Sequence, residues 1–104
     1  MAKIIWGEDA LSDLEVIYDY IARDSPRYAR QQVERIGNAV ERLYQSPESG
    51  RRLPDFPQLP HREVVVGNYR VVYRYDPERD VVNIVMVVHG ARLLKKPPDQ
   101  DEHP

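Results

Sequence analysis

A change of hydrophobic period part-way along the chain restricts its fold more than any other feature. From Leu11 to Leu43 the apolar residues recur every three or four positions, and from Arg62 onward they alternate or run together. The first pattern is that of helices with one buried face, the second that of strands. Leu11, Leu14, Ile17, Tyr18 and Ile21 make one stripe, with Asp13, Glu15, Asp19 and Arg23 on the other faces. This predicts an amphipathic helix from Glu8, whose acidic first turn suits the positive end of its dipole and which Asp24-Ser25-Pro26 ends. Ser25 then has the chemistry of an N-cap, and Pro26 fits the first helical position, where a missing N–H costs nothing. Ala29, Val33, Ile36, Val40 and Leu43 repeat at four-three-four-three spacing, a narrow seam that predicts a second helix packed antiparallel to the first. Gly37 costs that helix about 1 kcal/mol relative to alanine, which suggests that another element approaches closely there.

The remaining segments are extended. Lys3 to Trp6 is β-branched and aromatic and ends at Gly7, an opening strand and a turn. Pro47, Gly50, Pro54, Pro57 and Pro60 exclude helix and central strand between Ser46 and His61 and predict an extended surface connection. Arg62 to Val66, Tyr69 to Tyr75 and Val81 to His89 read as a three-stranded meander, broken at Gly67-Asn68 and at Asp76 to Asp80. In its middle strand Arg70, Val72 and Arg74 alternate with Tyr69, Val71, Tyr73 and Tyr75, so the tyrosines are expected beneath the helices and the arginines on an open face. The last strand is apolar on both sides and belongs inside the sheet. The predicted fold class is α+β: an N-terminal strand, a two-helix antiparallel hairpin, and a three-stranded antiparallel meander in one sheet packed on the helices. One domain over residues 1–98 and a disordered acidic tail over 99–104 complete the expectation.

Composition removes several functional classes. No run approaches the roughly 18 apolar residues of a membrane span, and the start lacks the apolar stretch of a secretory signal. Zero cysteines among 104 residues suit a reducing compartment, so the cytoplasm is expected; they exclude thiolate nucleophiles and cysteine zinc sites. A net charge of −2 is not that of a general phosphate binder. Its distribution is uneven: Arg51, Arg52, Arg62, Arg70 and Arg74 face only Asp55 and Glu63 in the same stretch, whereas Asp99, Asp101 and Glu102 crowd the tail.

The order of elements, together with Tyr69-Arg70-Val71-Val72-Tyr73 in the middle strand and His89-Gly90-Ala91-Arg92 after the last, resembles the RelE/ParE toxins of type II toxin–antitoxin systems. Ala10 with Asp13-Leu14, Tyr20-Ile21-Ala22, Pro47 and Gly50-Arg51 extend the resemblance over residues 3 to 94. It implies a small cytoplasmic toxin neutralised by a cognate antitoxin, with operator DNA contacted only through that antitoxin. RelE-like members cut messenger RNA in the ribosome, while ParE-like members inhibit DNA gyrase. The His-Gly-Ala-Arg ending is closer to the ParE-like branch. Arg70 matches an arginine of the RelE active site and Arg92 roughly a second, but nothing after Tyr75 is tyrosine, whereas RelE-like nucleases tend to carry a late tyrosine.

Cleaving RNA needs a base for the 2′-hydroxyl, cations for charge developing on phosphorus, and an acid for the leaving oxygen. If the chain is RelE-like, Arg70, Arg92 and His89 are the catalytic candidates, with His61 and Glu63 as other possible bases. If it is ParE-like, Arg62, Arg70, Arg74 and Arg92 are the target-binding candidates. Each has a plainer reading. Arginines on an open strand face are ordinary solvated residues, and a histidine at a strand end is a structural donor. The tyrosines read as core rather than base-stacking platforms, and Arg27, Arg30, Arg35 and Arg42 as a solvated helix face. No cofactor or metal is expected, since the three histidines lack ligand spacing. Kinship and working surface alike presuppose that the arginines of the middle strand are left uncovered; an Arg70 pinned inside a core ion pair would overturn both.

Overall fold

Gly67-Asn68 lets the chain reverse within two residues, because Gly67 takes φ 57°, a left-handed value that glycine adopts at no steric cost. It joins two strands of a five-stranded sheet seen in a computed structural model, which describes residues 1–98. In chain order the elements are β1 (Lys3–Trp6), α1 (Glu8–Ala22), α2 (Pro26–Glu41), a 3-10 turn (Arg42–Tyr44), β2 (Arg51–Arg52), β3 (Arg62–Val66), β4 (Tyr69–Asp76) and β5 (Val81–His89). The strands lie in the order β1-β5-β4-β3-β2, antiparallel except that β1 runs parallel to β5. The α+β architecture is therefore as expected, with β5 inside the sheet and one addition: the proline-rich connection contributes a two-residue edge strand beside Arg62 and Glu63. The tail expected over 99–104, His103 included, lies outside the described residues.

Both helices form where their caps and stripes place them. Ser25 accepts a hydrogen bond from the Tyr28 N–H at 3.1 Å and Pro26 opens α2, so α1 and α2 turn back on each other within three residues. Their buried faces, with Ala10, Ile36, Val40 and Leu43, close over Val64, Val71, Tyr73, Val82, Ile84 and Val87 from the sheet. Burying large side chains of this kind stabilises the fold by roughly 1.5–3 kcal/mol each. Tyr73 is wholly buried, and its hydroxyl accepts the Gly50 N–H at 2.9 Å; Tyr69 and Tyr75 pack half-buried against the same core. A methyl group on Gly50 would sit 2.6 Å from that hydroxyl and 2.8 Å from the Glu63 carbonyl, so glycine is required by close approach. Gly37 is different. Nothing lies within 4 Å of where its Cβ would stand, so no element approaches it and the expectation of a close contact there is overturned.

The other side of the sheet is not open. Leu53 and Phe56 from the proline-rich connection and Leu94 from the C-terminal segment cover Val72, Met86 and Val88 in a second, smaller core. A β-bulge makes this possible. Val72 pairs with Met86 and Tyr73 with Ile84, so Val85 is left over and the inside-outside sense of β5 reverses across it. Val82 and Ile84 before the bulge and Val87 after it face the helices, while Met86 and Val88 face the connection.

Candidate functional site

Arg70, the residue most emphasised by the sequence, is 5% exposed and lies under the connection that covers the second core. Its Nε donates to Glu63 Oε1 at 2.7 Å, Nη1 donates to the Arg92 carbonyl at 3.1 Å, and the far edge of the guanidinium is paired with Asp55. Asp55 accepts in addition the Leu94 N–H at 2.8 Å, and Glu63 is held from its other oxygen by Arg51 at 2.7 Å. Burial by itself pushes the Asp55 carboxyl up, but the hydrogen bonds from Arg70 and Leu94 outweigh it and hold the group below its ordinary value. Burial likewise opposes charge on Arg70, and its two carboxylate partners more than restore it, leaving its pKa raised. Arg70 is thus a clamp tying β4 to the connection through Asp55 and to the C-terminal segment through Arg92 and Leu94. The expectation of an uncovered Arg70 is incorrect, because Leu53, Phe56 and Leu94 give that face its own core and bring Asp55 with them.

The other candidates are not gathered around it. Arg62 sits opposite Tyr73 on the helix side, donates to the Gly50 carbonyl at 2.9 Å, and does not share a face with Arg70. Arg74 is exposed near Pro60, Tyr75 and Asn83, toward the far end of β4. Arg92 is exposed; its backbone serves the clamp while its guanidinium makes no ion pair among the described residues. A cleft of about 260 Å³ between Arg51, Pro54, Asp55, Arg70, Gly90 and Arg92 is where the clamp meets solvent.

The bases fare no better. His89 is exposed, and its Nδ1 accepts the Ala91 N–H at 3.2 Å while its ring meets the edge of Tyr69 at 5.7 Å, so it serves the strand end as an acceptor rather than the expected donor. His61 is buried just before β3, and both oxygens of Glu63 are engaged by arginines. Sequence reasoning passed over Asp55 and Asp13. A lone aspartate in a proline-rich loop carries no periodic signal, and Asp13 looked like a solvent-facing position of α1, yet its carboxylate accepts the Val87 N–H of β5 at 2.9 Å.

Asp13 forms part of a groove of about 460 Å³ between α1 and the end of β5, with Val16, Ile17 and Tyr20 along one wall and Tyr69, His89 and Arg92 at its end. Val16 and Tyr20 are 65% and 69% exposed, which makes this groove an apolar surface that none of the described residues covers.

Residues 4–94 match the model of the ParE toxin of type II toxin–antitoxin systems. The chain belongs to that family. As a ParE-family member within the RelE/ParE superfamily, it is 38% identical over 93 residues to toxin RelE2 of Caulobacter vibrioides, a match covering 89% of this chain and all of that one. Its fold superposes on a chain of the chromosomal ParDE system from P. aeruginosa with a TM-score of 0.68, at 22% identity, over 86% of this chain and 96% of that one. It also superposes on a chain of the RelBE2 toxin–antitoxin complex from Mycobacterium tuberculosis with a TM-score of 0.58, at 26% identity, over 85% and 96%. The kinship therefore stands although Arg70 is pinned in an ion pair; what fails is the open arginine face. Among the described residues, no helix of this toxin is long and apolar enough to cross a membrane.

Proposed function

We propose that this toxin is ParE-like in action: it arrests growth in the cytoplasm by binding a protein target such as DNA gyrase, and a cognate antitoxin neutralises it and supplies any contact with operator DNA. The observation that carries the reading is the engagement of Arg70. A cation whose donors are directed at Asp55, Glu63 and the Arg92 carbonyl is not poised to stabilise charge on a scissile phosphate, and the candidate bases His61 and Glu63 are buried with it. The family model supports the same branch. Exposed Arg74 and Arg92 are then the target-binding candidates that remain accessible. A supercoiling assay with purified gyrase tests the proposal: inhibition is expected at stoichiometric toxin, relieved by antitoxin and weakened by Arg92→Ala or Arg74→Ala. Full gyrase activity at saturating toxin would refute it.

A second reading, ribosome-dependent cleavage of messenger RNA, is favoured by the 38% identity to a protein named RelE2 and by the exposed guanidinium of Arg92. Toeprinting on translating ribosomes decides between the two. New codon-specific cuts that disappear with Arg92→Ala would establish the nuclease, and their absence would leave the gyrase reading in place.

A further inference from the structure

The buried pair of Arg70 and Asp55 does more than close the second core. Arg70 Nη1 donates to the Arg92 carbonyl at 3.1 Å, and Asp55 Oδ2 accepts the Leu94 N–H at 2.8 Å. Those two groups belong to the rigid peptide units on either side of Leu93, so the two partners of one ion pair fix the backbone of that single residue from both directions. The turn leading to it is held as closely. The Gly90 N–H donates to the Asn68 carbonyl at 2.7 Å, the Ala91 N–H to His89 Nδ1 at 3.2 Å and the Arg92 N–H to the His89 carbonyl at 3.0 Å. A buried ion pair adds little net stability over apolar side chains of the same volume, so packing alone does not account for it. What charged groups provide and methyl groups cannot is direction, exerted on a carbonyl and an N–H.

The residue held in this way is not buried. Leu94 is 9% exposed and packs in the second core, whereas Leu93 is 78% exposed. It stands between two hollows, a recess of about 570 Å³ bordered by Ala91 to Lys96 and the cleft of about 260 Å³ above the clamp. One exposed leucine on a loose loop is ordinary. A leucine on a backbone already ordered is different, because a partner that buries it has no loop to immobilise and keeps more of the gain from removing it from water. The side chains next to it are cationic. Arg92, Lys95 and Lys96 are exposed, and the guanidinium of Arg92 makes no ion pair among the described residues. Asp55, the carboxylate lining the cleft, is committed to Arg70 and Leu94.

We propose that Leu93 is the anchor by which the toxin holds its protein target: it enters an apolar pocket of the target, and Arg92, Lys95 and Lys96 meet carboxylates at the rim of that pocket. This rests on the reading above that the toxin acts by binding a protein. A phosphate backbone would satisfy the three cations but offers no pocket to a leucine fixed among them. An apolar pocket with an acidic rim satisfies both. The buried clamp then has a role at the surface, since it sets the position of the anchor before the target arrives.

The test uses the full-length toxin with purified gyrase, read by calorimetry, and growth arrest on induction at equal soluble toxin, a readout that needs no named target. Leu93→Ser is expected to weaken gyrase binding at least about thirtyfold and to abolish growth arrest, with an unchanged melting temperature because the altered side chain lies outside both cores. Leu93→Met, which keeps an apolar side chain, should bind within about threefold of wild type. Lys95→Glu with Lys96→Glu is expected to weaken binding about tenfold and to make it less sensitive to salt. Leu93→Ser within about twofold of wild type in both readouts overturns the anchor. If the charge reversals release the toxin while Leu93→Ser does not, the cations meet a phosphate backbone and the inference fails in favour of a nucleic acid. Wild-type toxin that arrests growth without binding gyrase refutes gyrase as the target; loss of arrest with Leu93→Ser but not with Leu93→Met then supports the anchor on another protein. Codon-specific cuts in the toeprinting assay would show instead that the reading beneath the inference is wrong.

Discussion

Replacing Arg70 by methionine removes a guanidinium and keeps much of its volume. The change deprives Glu63, whose side chain is wholly buried, of one arginine, and Asp55, whose side chain is 7% exposed, of its ion-pair partner among the described residues. Breaking a buried ion pair from one side costs about 3–5 kcal/mol, because the charge left behind stays desolvated. Here each carboxylate keeps a partner, Arg51 for Glu63 and backbone N–H groups, Leu94's among them, for Asp55, so the lower end, about 3 kcal/mol, is expected. Against the roughly 5–15 kcal/mol that holds a domain together, this is a large share. Urea unfolding followed by the fluorescence of Trp6, the one tryptophan, measures it: at a slope of about 1–3 kcal/mol per molar, the midpoint falls by about 1 M or more. Arg51→Ala is the control. Its side chain is 59% exposed and Glu63 keeps Arg70, so about 0–1 kcal/mol should be lost. If Arg70→Met costs no more than Arg51→Ala, the clamp does not hold the fold and Arg70 is free for another role. If the loss is as expected, reduced toxicity in Arg70 variants reports unfolding and must be compared at equal folded protein.

The lowered pKa of Asp55 makes part of the clamp dependent on pH: its contribution is complete above the ordinary value of 3.8 and is lost as pH falls through the lower folded value, so the stability gap between wild type and Asp55→Asn should narrow in acid and stay flat from pH 5 to 8. A gap that widens in acid would contradict the sign. Gly37→Ala should stabilise the toxin by about 1 kcal/mol, because the added methyl meets open space and alanine is the better helix former; calorimetric melting below wild type would refute it. Gly50→Ala should cost about 1–3 kcal/mol by pressing on the Tyr73 hydroxyl and the Glu63 carbonyl. Tyr73→Phe should cost about 1–3 kcal/mol by leaving the buried Gly50 N–H without an acceptor, and a urea midpoint equal to wild type would show that another acceptor replaces it.

The site was less legible than the fold, and particular residues show why. Arg70 and Arg92 were found because a local motif carries them. Their meaning was misread because Asp55 lies 15 residues before Arg70 and Leu94 lies 39 after Asp55, and no periodicity links such distances. Arg62 seemed to belong with Arg70 and Arg74 because all three are strand arginines in one basic stretch, but the register of β3 against β4 sets Arg62 opposite Tyr73 and so on the helix side. The one-sided pattern of β4 suggested an open face, since Val72 alone gives little hint that Met86, Val88 and a loop leucine will meet it.

The helices, their shared turn at Ser25-Pro26, the reversal at Gly67 and the burial of Tyr73 can all be read from local sequence, because each follows from forces acting within a few residues: apolar period, capping and allowed dihedrals. Tertiary structure alone decided that β1 lies parallel beside β5, that a bulge at Val85 turns Val87 toward Asp13, and that the arginine face is sealed by a loop. Those outcomes depend on which distant segments meet, and that is settled by burying two apolar faces of one sheet while giving every enclosed charge a partner.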